Sequence, residues 1–304
     1  MRKFMLFMAV DRIRLRGIAN AALSSATFGF APLFTLLLLA EDFSPFEVLA
    51  YRWGVAYLAL AVFAAAAGHS FRVSRPQVVP MLLLGICRAA TSLCLVFAYK
   101  NMASGAASTI HFMYPLFVAV VMMVFFKEKK SLVVLLALAA SITGAFLLSW
   151  ESAGSGNGNP ATGILCASVS VVTYGLYIIG VRKTKVSDMD PVALACYVMG
   201  FGALAFIICA GIFGDGVRII PVSDYRLWLC VAGLALPATA VSNMTLVYAV
   251  KQAGPVLTSV LGALEPLTAV ILGVAVFHEP FTFRTFAGII LILAAVTAVV
   301  LKKK

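Results

Sequence analysis

An all-α membrane protein, with ten transmembrane helices built as two inverted five-helix repeats, is the fold class that this sequence predicts. Three observations predict it: the composition, the length and spacing of the apolar runs, and short motifs duplicated between the two halves. Of 304 residues, 62% are hydrophobic and 12% charged, and the mean hydropathy is +1.04. Soluble domains run near half apolar and about a quarter charged, so this composition belongs to a bilayer.

A helix needs roughly 20 apolar residues to cross a hydrocarbon core of about 30 Å. Ten runs meet that need, at 17–40, 46–67, 78–99, 104–126, 131–150, 161–181, 191–213, 226–249, 254–276 and 282–301. They are continuously apolar. Transmembrane strands would instead alternate apolar and polar residues in runs of about 10. Residues 1–16 read as a basic cytoplasmic leader: Asp11, Arg12, Arg14 and Arg16 interrupt the short apolar stretch, and no small-residue cleavage site follows. Residues 17–150 form the first repeat, 151–160 an external linker, 161–301 the second repeat, and 302–304 a basic cytoplasmic tail. The Gly154-Ser-Gly-Asn-Gly-Asn stretch in the linker is a flexible turn, because no strand precedes it and no Lys-Ser/Thr pair follows, as a phosphate loop requires.

The formal charge of +11 does not mark a nucleic-acid surface, since the basic residues sit at the ends of apolar runs and form no stripe. Positive residues resist translocation and stay on the cytoplasmic side. With the amino terminus inside, most of the basic residues fall on inside segments. Lys100, Arg218, Arg226 and Arg284 fall outside, and Arg52 and Arg88 lie within spans. Both termini are therefore expected in the cytoplasm. The six cysteines lie singly in apolar runs with no CxxC spacing, which reads as packing and not as disulfides or zinc.

The halves overlay. At one displacement Thr27-Phe-Gly falls on Thr173-Tyr-Gly, Pro45 on Pro191, Tyr51 on Tyr197 and Gly54 on Gly200. Two residues further along, Gly85 falls on Gly233 and Ala90-Thr91 on Ala238-Thr239. A further three residues bring Pro115 onto Pro266 and Glu128 onto Glu279. Five spans per copy is an odd number, so the second copy enters the membrane from the opposite side, an arrangement associated with alternating access.

These residues give the chain its resemblance to the drug/metabolite transporter superfamily, in particular to its ten-helix EamA-type members. Its marks are a proline-bearing helix followed by an edge glutamate in each half, namely Pro115 with Lys127-Glu128-Lys129, and Glu265-Pro266 with His278-Glu279-Pro280. Arg52, after Pro45, is similar to the family's arginine at that place. Where members carry Trp-Gly in the first helix of each repeat, this chain has Phe28-Gly29 and Tyr174-Gly175, a departure that bears on the substrate more than on the fold. The resemblance implies a carrier with a central cavity between the halves, a small organic solute such as an amino acid or drug-like molecule, export more than import, and a bacterial plasma membrane. It implies no cofactor.

Ionisable groups within spans are costly and mark functional sites. Glu265 is expected to couple protons or hold a substrate ammonium, or else to pair with Arg52 or Arg88. Arg88, deep in the third span, offers a donor fork to a carboxylate or phosphate, or else neutralises Glu265. Arg52 reads as an interfacial anchor, an external gate or an ion-pair partner. His111 and Tyr114 share one helix face beside Pro115 and either line the cavity or pack in the core. Asn243, Phe28 and Tyr174 are weaker candidates, explained equally by interhelical hydrogen bonding and aromatic packing. His278-Glu279 is a helix cap without a third metal ligand nearby. An intramembrane enzyme would need carboxylate pairs or HExxH, and a channel a repeated selectivity element. None is visible in the sequence.

Overall fold

The computed structural model describes residues 2–102, 104–128, 131–149, 158–277 and 282–301. The chain is helical throughout, with no strand among the described residues. In order, the helices are α1 (Arg2–Phe28), α2 (Ala31–Ala40), α3 (Pro45–Ala66), α4 (Arg75–Asn101), α5 (Ser104–His111), α6 (Tyr114–Val124) and α7 (Leu132–Ser149). The second half contributes α8 (Pro160–Lys183), α9 (Pro191–Phe213), α10 (Tyr225–Ala235), α11 (Ser242–Ala253), α12 (Pro255–Leu261), α13 (Leu264–Phe277) and α14 (Phe283–Leu301). Among the described residues nine helical segments are long and apolar enough to cross a bilayer, and α7 supplies a shorter apolar helix, making about ten.

The chain is apolar outside and polar within. Leu58, Val62, Ile86, Leu136, Leu165 and Ile208 face outward, whereas Arg52, Arg88, His111 and Glu265 are buried. Lipid reverses the rule that holds in water, because a helix facing hydrocarbon gains nothing from polar side chains.

Four spans are not the single runs that the sequence suggests. Proline has no N–H and its ring collides with the carbonyl four residues earlier. Pro32 accordingly breaks the first span after Phe28, Pro115 breaks the fourth after His111, and Pro266 breaks the ninth at Gly262. In the eighth span Pro237 opens a π-helical turn, Leu236–Val241, between α10 and α11. The basic stretch expected as a separate leader is helical from Arg2 and continuous with the first span, since it contains no glycine or proline to stop α1. Residues 154–157 of the glycine-rich turn and the Lys302–Lys304 tail lie outside the described residues, as do Lys129, Lys130, His278, Glu279 and Pro280, whereas Asn159 at the end of the turn caps α8.

Helices of one half pack against helices of the other. The most extensive pairings are α4 with α8, α1 with α11, α3 with α9, and α7 with α14. Small residues allow the closest approaches. A Cβ on Gly29 would stand 2.7 Å from the Glu265 carbonyl and 2.7 Å from the Thr268 Cβ, while one on Gly175 would strike the Phe117 ring. The displacement that carries Pro115 onto Pro266 carries Phe117 onto Thr268, so these crossings are repeat equivalents. Gly144 and Gly288 meet each other: a Cβ on either would lie 2.8 Å from the other's carbonyl oxygen.

Gly144→Ala is therefore expected to force backbone apart between α7 and α14 and to lower stability by about 1–3 kcal/mol. Gly54→Ala, with nothing within 4 Å of the added carbon, is the neutral control. Thermal melting in detergent checks both: equal melting temperatures for the two variants would contradict the close crossing.

Candidate functional site

The helix breaks converge on one polar cluster. Phe28 ends α1, His111 ends α5, Tyr114 begins α6, Glu265 follows the break before α13, and Thr239 lies in the π turn. Unwound backbone at membrane depth is tolerated where it is enclosed by protein, and such places often hold the ligand. Tyr114 and Glu265 occupy equivalent positions in the two repeats, each immediately before the breaking proline.

Two guanidinium groups lie at its centre. Arg52 and Arg88 are 3% and 1% exposed. Arg88 donates from Nε to Asn243 Oδ1 at 2.7 Å and from Nη1 to Ser92 Oγ at 3.4 Å. Arg52 donates from Nε to Thr239 Oγ1 at 2.7 Å, and Asn243 Nδ2 donates to the Thr239 carbonyl at 2.8 Å. The π turn thus supplies a hydroxyl and a carbonyl to one network that ties both arginines to the second half. Both guanidiniums also approach the Phe28 ring, at 5.4 Å for Arg52 and 5.3 Å for Arg88, and Arg88 stands 5.1 Å from the Tyr174 ring. Contacts of this kind are favourable and strengthen on desolvation.

Beside the arginines, His111, Tyr114 and Tyr174 form an aromatic trio with centroids 4.6–5.3 Å apart. His111 Nδ1 and Ser170 Oγ are 2.8 Å apart. The Tyr114 hydroxyl packs into the space left by Gly262. Glu265 is buried in the same neighbourhood, close enough for the charges of Arg88 and Arg52 to act on it. It forms no ion pair within 4.0 Å among the described residues.

The residues singled out in the sequence thus come together: Arg52, Arg88, His111, Tyr114, Tyr174, Phe28, Asn243 and Glu265 occupy one enclosed region. Arg52 does not reach the interface; it turns inward to Thr239. Neither arginine pairs directly with Glu265. Sequence reasoning passed over Thr239, Ser92, Ser170 and Tyr99, the last buried near Arg52 and Glu265. Pro237, two residues before it, and the repeat match of Thr91 with Thr239 were the signals available for Thr239. Among the described residues no group of three or more His, Cys, Asp or Glu side chains gathers to hold a metal ion.

Both ends of the bundle are tied across the halves. At the start of α3, Ser44 caps the helix and Glu47 accepts from the Arg218 backbone N–H at 2.9 Å, with Arg218 Nε 3.7 Å from the same carboxylate oxygen. The Tyr51 hydroxyl donates to the Arg218 carbonyl, and the Arg218 guanidinium donates to the Asp42 carbonyl at 2.6 Å. At the other end, at the start of α9, Asp190 caps the helix and meets His69 Nδ1 at 2.9 Å, and the Tyr197 hydroxyl donates to the Phe71 carbonyl at 2.8 Å. Tyr51 and Tyr197 are repeat equivalents, as are the capping residues Ser44 and Asp190. Each tyrosine grips the loop between the second and third spans of the opposite half. The ties lie at opposite ends of α3, whose 22 residues rise about 33 Å.

A solved crystal structure superposes on this chain with a TM-score of 0.76 at 17% identity, covering 95% of this chain and 98% of that one, a likeness that concerns the fold. The uncharacterized transporter YetK of Bacillus subtilis is 22% identical over 215 residues, which span 70% of this chain and 64% of that protein. The uncharacterized inner membrane transporter YedA of Escherichia coli is 25% identical over 276 residues, 89% of this chain and 86% of that protein. Residues 15–150 and 161–301 each match the EamA-like transporter family, and the chain, a multi-pass membrane protein, belongs to that family.

Proposed function

We propose that this chain is a secondary transporter of small organic metabolites, amino-acid or drug-like solutes, working by alternating access between inverted five-helix halves. It acts as an exporter in a bacterial plasma membrane, with both termini cytoplasmic. The observation that carries this reading is the pair of repeat-related ties at opposite ends, Tyr51 with the 214–224 loop and Tyr197 with the 67–74 loop, with the arginine cluster enclosed between them. Two copies of one unit can exchange conformations, so releasing either tie opens the cluster to one side only. Glu265 is the proton-coupling group in this reading, and Arg88 contacts the solute.

The ties differ in chemistry. One uses Arg218 and Glu47, and the other His69 and Asp190. Burial alone would raise the pKa of Asp190, but His69 and the backbone N–H groups of Ala193 and Val192 outweigh it, and the carboxyl is held below the ordinary aspartate value. A carboxyl with a depressed pKa stabilises the tied state above its ordinary titration range and loses that contribution as pH falls through it. The tie is therefore intact at neutral pH and loosens in acid.

Asp190→Asn keeps an oxygen for the cap but removes the charge facing His69. It is expected to leave the melting temperature nearly unchanged and to alter the solute exchange rate several-fold. An unchanged rate contradicts a gating role for this end. Glu265→Gln is expected to abolish the pH dependence of uptake into proteoliposomes. Wild-type uptake and an unaltered pH profile in that variant would rule out coupling through Glu265.

A further inference from the structure

The enclosed cluster holds more positive than negative charge, and several of its polar atoms are unspent. Arg52 Nη2, His111 Nε2 and the Tyr177 hydroxyl are buried and find no hydrogen-bond partner among the described residues. A buried polar atom without a partner is costly, and several gathered beside two cations are what a polar anionic ligand would satisfy. The two cations, Arg52 and Arg88, face one acid, Glu265.

The hydrogen-bond chain at His111 fixes what its free nitrogen offers. The Ser170 hydroxyl donates to the Ala167 carbonyl at 2.6 Å, so its oxygen can only accept from His111. Nδ1 therefore carries the proton. A third cation beside two guanidiniums in a water-poor interior is disfavoured, so the imidazole is neutral and Nε2 presents a lone pair. Tyr174 lies between the two features, with Arg88 5.1 Å from its ring and the His111 ring 5.3 Å away.

We propose, building on the transport reading, that the solute is a small organic monocarboxylate that also carries an uncharged hydrogen-bond donor, a hydroxy acid. Its carboxylate lies between Arg52 Nη2 and Arg88, and its hydroxyl donates to His111 Nε2. Phe28 and Tyr174 supply the apolar walls. A carboxylate offsets part of the excess positive charge of the two guanidiniums. A planar carboxylate also matches the guanidinium fork.

The test uses the purified full-length protein in detergent and reads its melting temperature, which a ligand of the folded state raises. The probes are hydroxy monocarboxylates with side chains from methyl to phenyl, their uncharged amides, the parent acids lacking the donor, and inorganic phosphate. Acids with a donor are expected to raise the melting temperature by several degrees, parent acids less, and amides and phosphate not at all. His111→Phe is expected to erase the difference between hydroxy acid and parent acid while keeping the response to both. Equal responses to acids and amides, a response to phosphate alone, or no response to any carboxylate overturns the proposal. Exchange of the same probes in proteoliposomes separates the two readings. Acids that bind but never exchange sink the transport reading and leave the carboxylate site. Exchange of other solutes, undisturbed by carboxylates, does the reverse.

Discussion

Two guanidinium groups held deep within an apolar bundle set the terms for everything around them. Each costs about 2.5–3.5 kcal/mol to place at the centre of a membrane helix on an insertion scale, and the surrounding structure is organised to offset that. Arg88 spends its donors on Asn243 and Ser92, and Arg52 spends one on Thr239. Thr239 is available because the eighth span widens into a π turn there, with its own hydroxyl donating to the Leu234 carbonyl. The irregular backbone and the buried charge thus depend on one another.

The same logic explains where the helices break. The prolines at positions 32, 115 and 266 each end a helical segment beside the cluster, and the residues at those breaks supply Phe28, His111, Tyr114 and Glu265. A break placed against lipid would leave backbone groups unsatisfied, whereas one placed inside the bundle finds partners. Repeat equivalence then diverges usefully. Tyr114 and Glu265 hold matching positions with different chemistry, and the equivalent Tyr51 and Tyr197 stand beside ion pairs of different make-up, Arg218–Glu47 and His69–Asp190. A symmetric scaffold therefore carries a site and two ends that are not chemically symmetric.

Much of this was legible in the sequence, and the division is physical. Span number and order follow from run length and charge, quantities that a bilayer constrains directly. The candidate residues stood out because ionisable groups in apolar runs are rare. What could not be read was rotation about each helix axis. Counting residues from a helix end placed Arg52 near the interface by depth, but its direction, inward to Thr239, depends on the packing of α3 against α9 and the π turn. Ser170 and Tyr99 gave no signal, since hydroxyls are common in membrane helices. The joining of the basic start to α1 was equally hidden, because a charged stretch without breakers is compatible with helix or coil. The breaks themselves had a signal in their prolines, yet proline within a span can also merely kink it, as the uninterrupted passage of α4 through Pro80 illustrates.

The account rests on two ends that open in turn around one enclosed site. Spin-label pairs that bridge α3 and the 214–224 loop, and α9 and the 67–74 loop, measure those ends separately in the same reconstituted protein. The account predicts two populations at each end whose weights change in opposite directions when solute or a proton gradient is applied. Simultaneous widening of both ends, leaving a continuous path, would contradict it.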